Sequence, residues 1–137
     1  MGWERLGGPA RAMTLERVGP EAFDGERLRR PGTVVVGFLA DWCPVCRAFL
    51  PEFEQLAKGG RRLLMADVTE EESPLWDRFR VEIVPTVLVF RDGETIFRAD
   101  GERGTGLDRG DLRRIEKAAD GAGRSGGSAP SGPRRRR

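Results

Sequence analysis

Residues 33–46 decide the fold and read TVVVGFLADWCPVC. The first seven form a continuous strand-like run that begins with four β-branched residues, of the kind found in strands that are buried on both faces of a sheet. The last four contain the only cysteines of the chain, Cys43 and Cys46. A C-x-x-C pair directly after a strand, with a helix expected to follow, is typical of a thiol–disulfide redox site.

The predicted helix begins after Cys43, which places this sulfur at a helix N-terminus. Backbone N–H groups and the positive end of the helix dipole favour thiolate over thiol at such a position. Because thiolate is the nucleophile in disulfide exchange, the motif predicts chemistry with another sulfur.

Composition excludes several other kinds of site. The chain has 137 residues, of which 38% are hydrophobic and 34% charged, as expected for one globular domain. It contains no histidine, so Cys–His and Ser–His–Asp catalysis are unavailable. Two cysteines cannot supply the four ligands of a structural zinc site. We therefore expect no metal and no bound cofactor, with a metal or cluster site shared between two chains as the open alternative.

The chain also lacks the sequence features of membrane insertion and export. No apolar run is long enough to span a membrane, and residues 1–12 contain no run of signal-peptide length. We expect a cytoplasmic monomer. In that compartment a close cysteine pair is more often catalytic or metal-binding than structural.

Three zones are visible along the chain: a flexible leader over residues 1–12, a folded domain over 13–120 and an Arg-rich tail over 121–137. The tail has five arginines, no acidic residue and too little apolar surface to fold, so we interpret it as disordered. Arginine outnumbers lysine 22 to 2 throughout the chain, which makes a solvated tail the preferred interpretation over a nucleic-acid contact.

Strand and helix patterns alternate within the domain. Strands are predicted over residues 14–18, 33–39, 62–67, 86–90 and 94–99, and helices over 20–29, 44–58, 73–79 and from 108 onward, the last with Asp108 as its N-terminal cap. Asp92-Gly93 is a strong hairpin-turn signal between the last two strands. This order predicts an α/β fold with a mixed central sheet that is flanked by helices on both faces.

Four features of the domain resemble the thioredoxin family. They are Ala40-Asp41-Trp42-Cys43, Pro51 eight residues after Cys43, Val84-Pro85-Thr86, and Phe90-Arg91-Asp92-Gly93-Glu94. The resemblance covers about residues 13–119. It implies the thioredoxin fold with strand order 1-3-2-4-5 and a cis peptide bond before Pro85.

The resemblance also implies roles for the residues around the cysteines. Cys43 is the exposed nucleophile and Cys46 the buried resolving thiol, and Trp42, Pro44 and Val45 flank the pair. The implied cycle is attack by Cys43 on a substrate disulfide, a mixed disulfide, and release by Cys46.

Three further positions are assigned by the same resemblance. Val84 and Pro85 present their backbone to an extended substrate segment, and Gly101 keeps the neighbouring surface open. The implied partners are disulfide-containing protein substrates and a thioredoxin-reductase-like or glutaredoxin-type electron donor.

The chain departs from the family pattern at a buried ion pair. The acid that assists the resolving cysteine falls on Gly37, and its lysine partner falls on Leu63. The joint absence of the acid and the lysine is physically consistent, because a buried charge without a partner of opposite sign is costly. Proton transfer at the resolving thiol must then use water or another carboxylate, with Asp41 and Glu82 as candidates.

The preferred interpretation is therefore a reductase of protein disulfides, and two alternatives stay open. The dipeptide Pro44-Val45 resembles that of glutaredoxin or the periplasmic disulfide oxidases, which favours an oxidase or isomerase. A non-catalytic redox-sensing or binding module that uses the face around Pro85 is the second alternative.

Overall fold

The predicted central strand lies in the middle of a five-stranded mixed sheet in the computed structural model, which describes residues 15–122. This strand, β4, spans Thr33–Leu39, and every residue after Thr33 is buried. It pairs in parallel with β5 (Arg62–Asp67) and antiparallel with β6 (Thr86–Arg91). Burial on both faces explains why its sequence is almost continuously apolar and does not alternate with polar residues.

The remaining elements complete the α/β fold that the sequence predicts. The strands are β1 (Glu16–Val18), β2 (Phe23–Asp24), β3 (Arg27–Leu28) and β7 (Glu94–Asp100), and the helices are α1 (Pro44–Gln55), α2 (Leu75–Arg78) and α3 (Arg109–Ala122). The main sheet has the order β1-β5-β4-β6-β7. The predicted leader over 1–12 lies outside the described residues, as does the tail beyond residue 122.

The helix predicted over residues 20–29 is wrong. A single 3-10 turn, Pro20–Ala22, is followed by the hairpin of β2 and β3. Gly25 adopts a φ of 63° in the two-residue loop, a conformation that favours glycine. The hairpin brings Phe23 opposite Leu28 and buries both, which a helix would not do. The two strands of the hairpin form a sheet of their own. When they are left out of the numbering, the five strands of the main sheet follow the predicted order 1-3-2-4-5.

Helices cover both faces of the central strand. Successive side chains of a strand point to opposite faces, so Gly37 and Phe38 of β4 face opposite layers. The ring of Phe53 in α1 lies directly over Gly37. On the other face, Phe38 contacts Phe79, which follows α2, at a ring-centroid distance of 5.3 Å.

Two local sequence signals, the hairpin turn at Asp92-Gly93 and the helix cap at Asp108, are confirmed. The turn between β6 and β7 has positive φ at both Asp92 and Gly93, 49° and 90°. At the start of α3, Asp108 Oδ1 accepts the N–H of Asp111 at 2.9 Å, and Asp111 Oδ2 accepts the N–H of Asp108 at 2.9 Å. Of the helices between residues 15 and 122, none has both the length and the apolar character needed to cross a membrane.

The contact between Gly37 and Phe53 generates a prediction about stability. A Cβ at position 37 would lie 3.0 Å from the ζ carbon of the fully buried Phe53 ring, so Gly37→Ala should cost about 1–3 kcal/mol of unfolding free energy. In a Phe53→Leu background the same substitution should cost less, because leucine places no atom at the tip of the ring. Urea unfolding of the four proteins measures this coupling. An equal cost in both backgrounds would contradict the prediction.

Candidate active site

The sulfur of Cys43 is held at the N-terminus of α1. Cys43 is the N-cap residue, Pro44 occupies the first helical position, and Cys43 Sγ accepts the backbone N–H of Cys46 at 3.1 Å. An N–H donor aimed at sulfur stabilises negative charge there. The geometry therefore suits Cys43 for the nucleophilic role that the motif predicts.

Cys43 is less accessible than the resemblance implies. Its exposed fraction is 7%, so the expectation of an exposed nucleophile is wrong for the reduced protein. The reason is that the sulfur turns inward toward its capping N–H and also lies 3.7 Å from the carbonyl oxygen of Val84. Its two neighbours Trp42 and Pro44 are exposed, Trp42 at 52%.

Cys46 differs sharply from Cys43 in its surroundings. It has no exposed surface, and both cysteines are free thiols. Burial raises the pKa of the Cys46 thiol, the hydrogen bond with Cys43 adds to this rise, and a backbone hydrogen bond with Ala40 opposes it. Cys46 is thus a neutral thiol held directly behind the capped sulfur.

The segment before β6 forms a second side of the site. The Val84–Pro85 peptide bond is cis, as the resemblance implies. The carbonyl of Val84 accepts a hydrogen bond from the Cys43 thiol across 41 residues of sequence. The carbonyl of Pro85 accepts the N–H of Gly101 at 3.0 Å.

Two glycines allow the chain to approach this segment closely. A Cβ at Gly101 would lie 2.5 Å from the carbonyl oxygen of Pro85, so the predicted need for glycine at this position has a steric reason. Gly106, which is not among the predicted site residues, has a φ of 75°, and a Cβ there would lie 2.5 Å from the Cγ1 of Val45. The one available signal was the glycine-rich sequence of residues 101–106.

Trp42 is fixed beside Cys43 by contacts that no motif predicts. Its ring stacks on that of Trp76 at a centroid distance of 6.4 Å and an interplanar angle of 11°. Its Nε1 donates to the carbonyl oxygen of Thr69 at 2.9 Å. About half of the Trp42 residue surface stays exposed at the edge of the site.

At position 37, where the family pattern has a buried acid, the space is occupied by a hydrocarbon side chain. At Gly37 the ring of Phe53 occupies the space a side chain would take, and Leu63 is buried on β5. Of the two candidate carboxylates, Asp41 is half-buried and Glu82 is exposed. Among residues 15–122, no three His, Cys, Asp or Glu side chains cluster in a way that could hold a metal ion.

Known proteins that match this chain belong to the thioredoxin family. Residues 15–109 match the family model described as Thioredoxin. Thioredoxin of Rhodospirillum rubrum is 30% identical over 82 residues, covering 58% of this chain and 79% of the relative. Thioredoxin of Staphylococcus saprophyticus is 34% identical over 92 residues, covering 65% and 86%.

A larger relative and a solved structure agree with this match. Protein disulfide-isomerase A3 of Gallus gallus is 37% identical over 84 residues, 59% of this chain, but the match spans only 16% of that protein. The crystal structure of the short form of thioredoxin F from spinach chloroplast superposes with a TM-score of 0.63 at 21% identity, covering 78% of this chain and 94% of that one. The structural match shows a shared fold.

The burial of Cys46 predicts a loss of stability at alkaline pH in the reduced protein. The folded state keeps the Cys46 proton because its pKa is raised, whereas the unfolded chain releases it near the ordinary value of about 8.5. Above that pH the unfolded chain binds fewer protons, so the unfolding free energy should fall, with a slope approaching about 1.4 kcal/mol per pH unit.

Urea unfolding of the reduced protein between pH 7 and 10 measures this slope. Cys46→Ala is the control, since it retains Cys43 and removes only the buried thiol. The chain has no tyrosine or histidine, so few other groups titrate in this range. Parallel pH profiles for the two proteins would show that Cys46 is not the cause.

Proposed function

This chain belongs to the thioredoxin family of thiol–disulfide oxidoreductases, and from that premise we propose that it reduces disulfide bonds in protein substrates. The observation that carries the proposal is the paired environment of the two cysteines. The sulfur of Cys43 accepts an N–H donor at the helix N-terminus, and the neutral thiol of Cys46 is held directly behind it.

In the proposed cycle, the Cys43 thiolate attacks one sulfur of a substrate disulfide. A Cys43–substrate S–S bond forms as the substrate S–S bond breaks, and the departing sulfur takes up a proton. Cys46 then loses its proton and attacks Cys43, which releases the second substrate sulfur as a thiol. The protein ends with a Cys43–Cys46 disulfide, and the two electrons have passed to the substrate.

The second half of the cycle requires a proton acceptor for Cys46. Burial raises the pKa of this thiol, so deprotonation is the demanding step. The hydrocarbon of Phe53 over Gly37 offers no base there. We propose that the proton of Cys46 is accepted by water, or by Asp41 or Glu82 acting as a relay residue.

The substrate segment is proposed to lie extended across the backbone of Val84 and Pro85. The close approach at Gly101 supports this, because it holds the backbone beside Pro85 without an intervening side chain. Trp42, Pro44 and Val45 would border the bound segment.

The partners and setting follow from the same chemistry. Because each cycle leaves the protein's own Cys43–Cys46 pair oxidised to a disulfide, the protein needs an electron donor, which we propose to be a flavin-dependent reductase of the thioredoxin-reductase kind or a glutaredoxin-type system. We propose a cytoplasmic monomer, without a bound cofactor, that takes part in electron transport and redox homeostasis.

An oxidase or isomerase is the second candidate function. The proline-led dipeptide Pro44-Val45 and the apolar surroundings of Cys46 favour it. A non-catalytic redox-sensing or binding module is the third, and it requires that the cysteines exchange poorly with other disulfides.

The two cysteines predict different phenotypes on substitution. Cys43→Ser should abolish the catalysed reduction of insulin disulfides by dithiothreitol and leave only the slow direct reaction, because serine supplies no thiolate. Cys46→Ser should retain the first attack and accumulate a mixed disulfide, visible as a mass increase that dithiothreitol reverses. Turnover by Cys43→Ser would contradict the mechanism.

The reduction potential separates the candidate functions. Equilibration of the Cys43–Cys46 couple against thiol–disulfide buffers should give a value near that of thioredoxin, about −270 mV. A value between about −180 and −120 mV, the range of isomerases and oxidases, would instead assign the second function. Failure to form the disulfide would leave the binding module.

A further inference from the structure

Thr69 lies against the loop that presents Cys43, although it belongs to none of the motifs in the sequence. Its hydroxyl oxygen accepts the backbone N–H of Asp41 at 2.9 Å. Its carbonyl oxygen accepts the indole Nε1–H of Trp42 at 2.9 Å. One residue thus holds both residues that precede Cys43.

The orientation of the Thr69 hydroxyl is itself fixed. Asp67 Oδ1 accepts the Thr69 backbone N–H at 3.0 Å and the Thr69 hydroxyl at 2.5 Å. A hydroxyl has one proton to donate, so donation to Asp67 leaves its lone pairs for the N–H of Asp41. The direction of each hydrogen bond in this network is therefore determined.

The loop held in this way sets the position of Cys43. The backbone N–H of Cys43 donates to the carbonyl of Ala40 at 3.2 Å, which closes a turn around Asp41 and Trp42. This turn delivers Cys43 to the N-cap of α1, where its sulfur accepts the N–H of Cys46. The stack of Trp76 on Trp42 supports the same turn.

We propose that Thr69 is a positioning residue for disulfide exchange at Cys43. It anchors the turn to the end of β5 through its hydroxyl and its carbonyl, and Asp67 orients the hydroxyl. The proposal rests on the proposed function, since it assigns Thr69 to the same site. Thr69 acts through the loop and not by contact with the reacting sulfurs.

Thr69→Val tests the proposal, because it keeps the shape of the side chain and removes the acceptor for Asp41. The carbonyl that receives Trp42 is unchanged. We expect kcat for insulin reduction by dithiothreitol, and the rate of Cys43 alkylation by iodoacetamide at pH 7, to fall about fivefold, as for one lost hydrogen bond. Thr69→Ser restores the hydroxyl and should stay within about twofold of the wild type.

Two further variants complete the experiment. Thr95→Val makes the same chemical change on the exposed part of β7 and should leave both rates unchanged. Asp67→Ala keeps the Thr69 side chain but frees its hydroxyl, and should also lower both rates. It provides the test if Thr69→Val does not fold, which a melting temperature establishes.

The outcomes distinguish this proposal from the proposed function. Unchanged rates in Thr69→Val or in Asp67→Ala, with an active wild type, overturn the positioning role alone. Equal losses in Thr69→Val and Thr69→Ser also overturn it, since the hydroxyl would then be irrelevant. A wild type that does not reduce insulin overturns the proposed function, while the alkylation rates still decide the role of Thr69.

Discussion

The hydrogen bond from the backbone N–H of Cys46 to the sulfur of Cys43 is the interaction on which the rest of the site depends. It exists because a short turn joins the end of the buried strand β4 to α1 and makes Cys43 the N-cap residue, so the sulfur replaces the oxygen of an ordinary N-cap side chain. The same turn of helix places the second thiol behind the first, out of contact with solvent. One local arrangement thereby gives two chemically identical side chains different surroundings: the Cys43 sulfur accepts a backbone N–H, whereas Cys46 is a buried, neutral thiol.

Contacts from distant parts of the chain then define the space around this pair. Val84 and Pro85 close one side through a cis peptide bond, and the glycines at 101 and 106 allow the following loop to pack against Pro85 and Val45. These elements meet because the antiparallel pairing of β6 with β4 returns the chain to the end of the central strand. The sheet topology therefore assembles the site, while α1 supplies its reactive sulfur.

The interior beneath the cysteines is apolar. The ring of Phe53 over Gly37 leaves no room for a carboxylate, and buried Leu63 supplies no cation that could pair with one. An isolated charge at this depth would be costly, so the paired loss of acid and lysine is physically consistent. Its chemical consequence is that neither position 37 nor position 63 supplies an acceptor for the proton of Cys46.

Much of the fold and the centre of the site could be predicted from local patterns. The buried strand, the C-x-x-C pair, the Asp92-Gly93 turn and the Asp108 cap depend on neighbouring residues, and the cis bond and the thioredoxin fold followed from motif resemblance. The hairpin at residues 23–28 was mistaken for a helix because its stability comes from burying Phe23 and Leu28 in the core. Thr69, Trp76 and Gly106 escaped prediction for the same reason: their contacts with Trp42 and Val45 span some 27 to 61 residues of sequence. The sequence by itself determined the cysteine pair and the helix that begins after Cys43, since both are local; only the tertiary structure decided how deeply Cys43 is buried and what holds it in place.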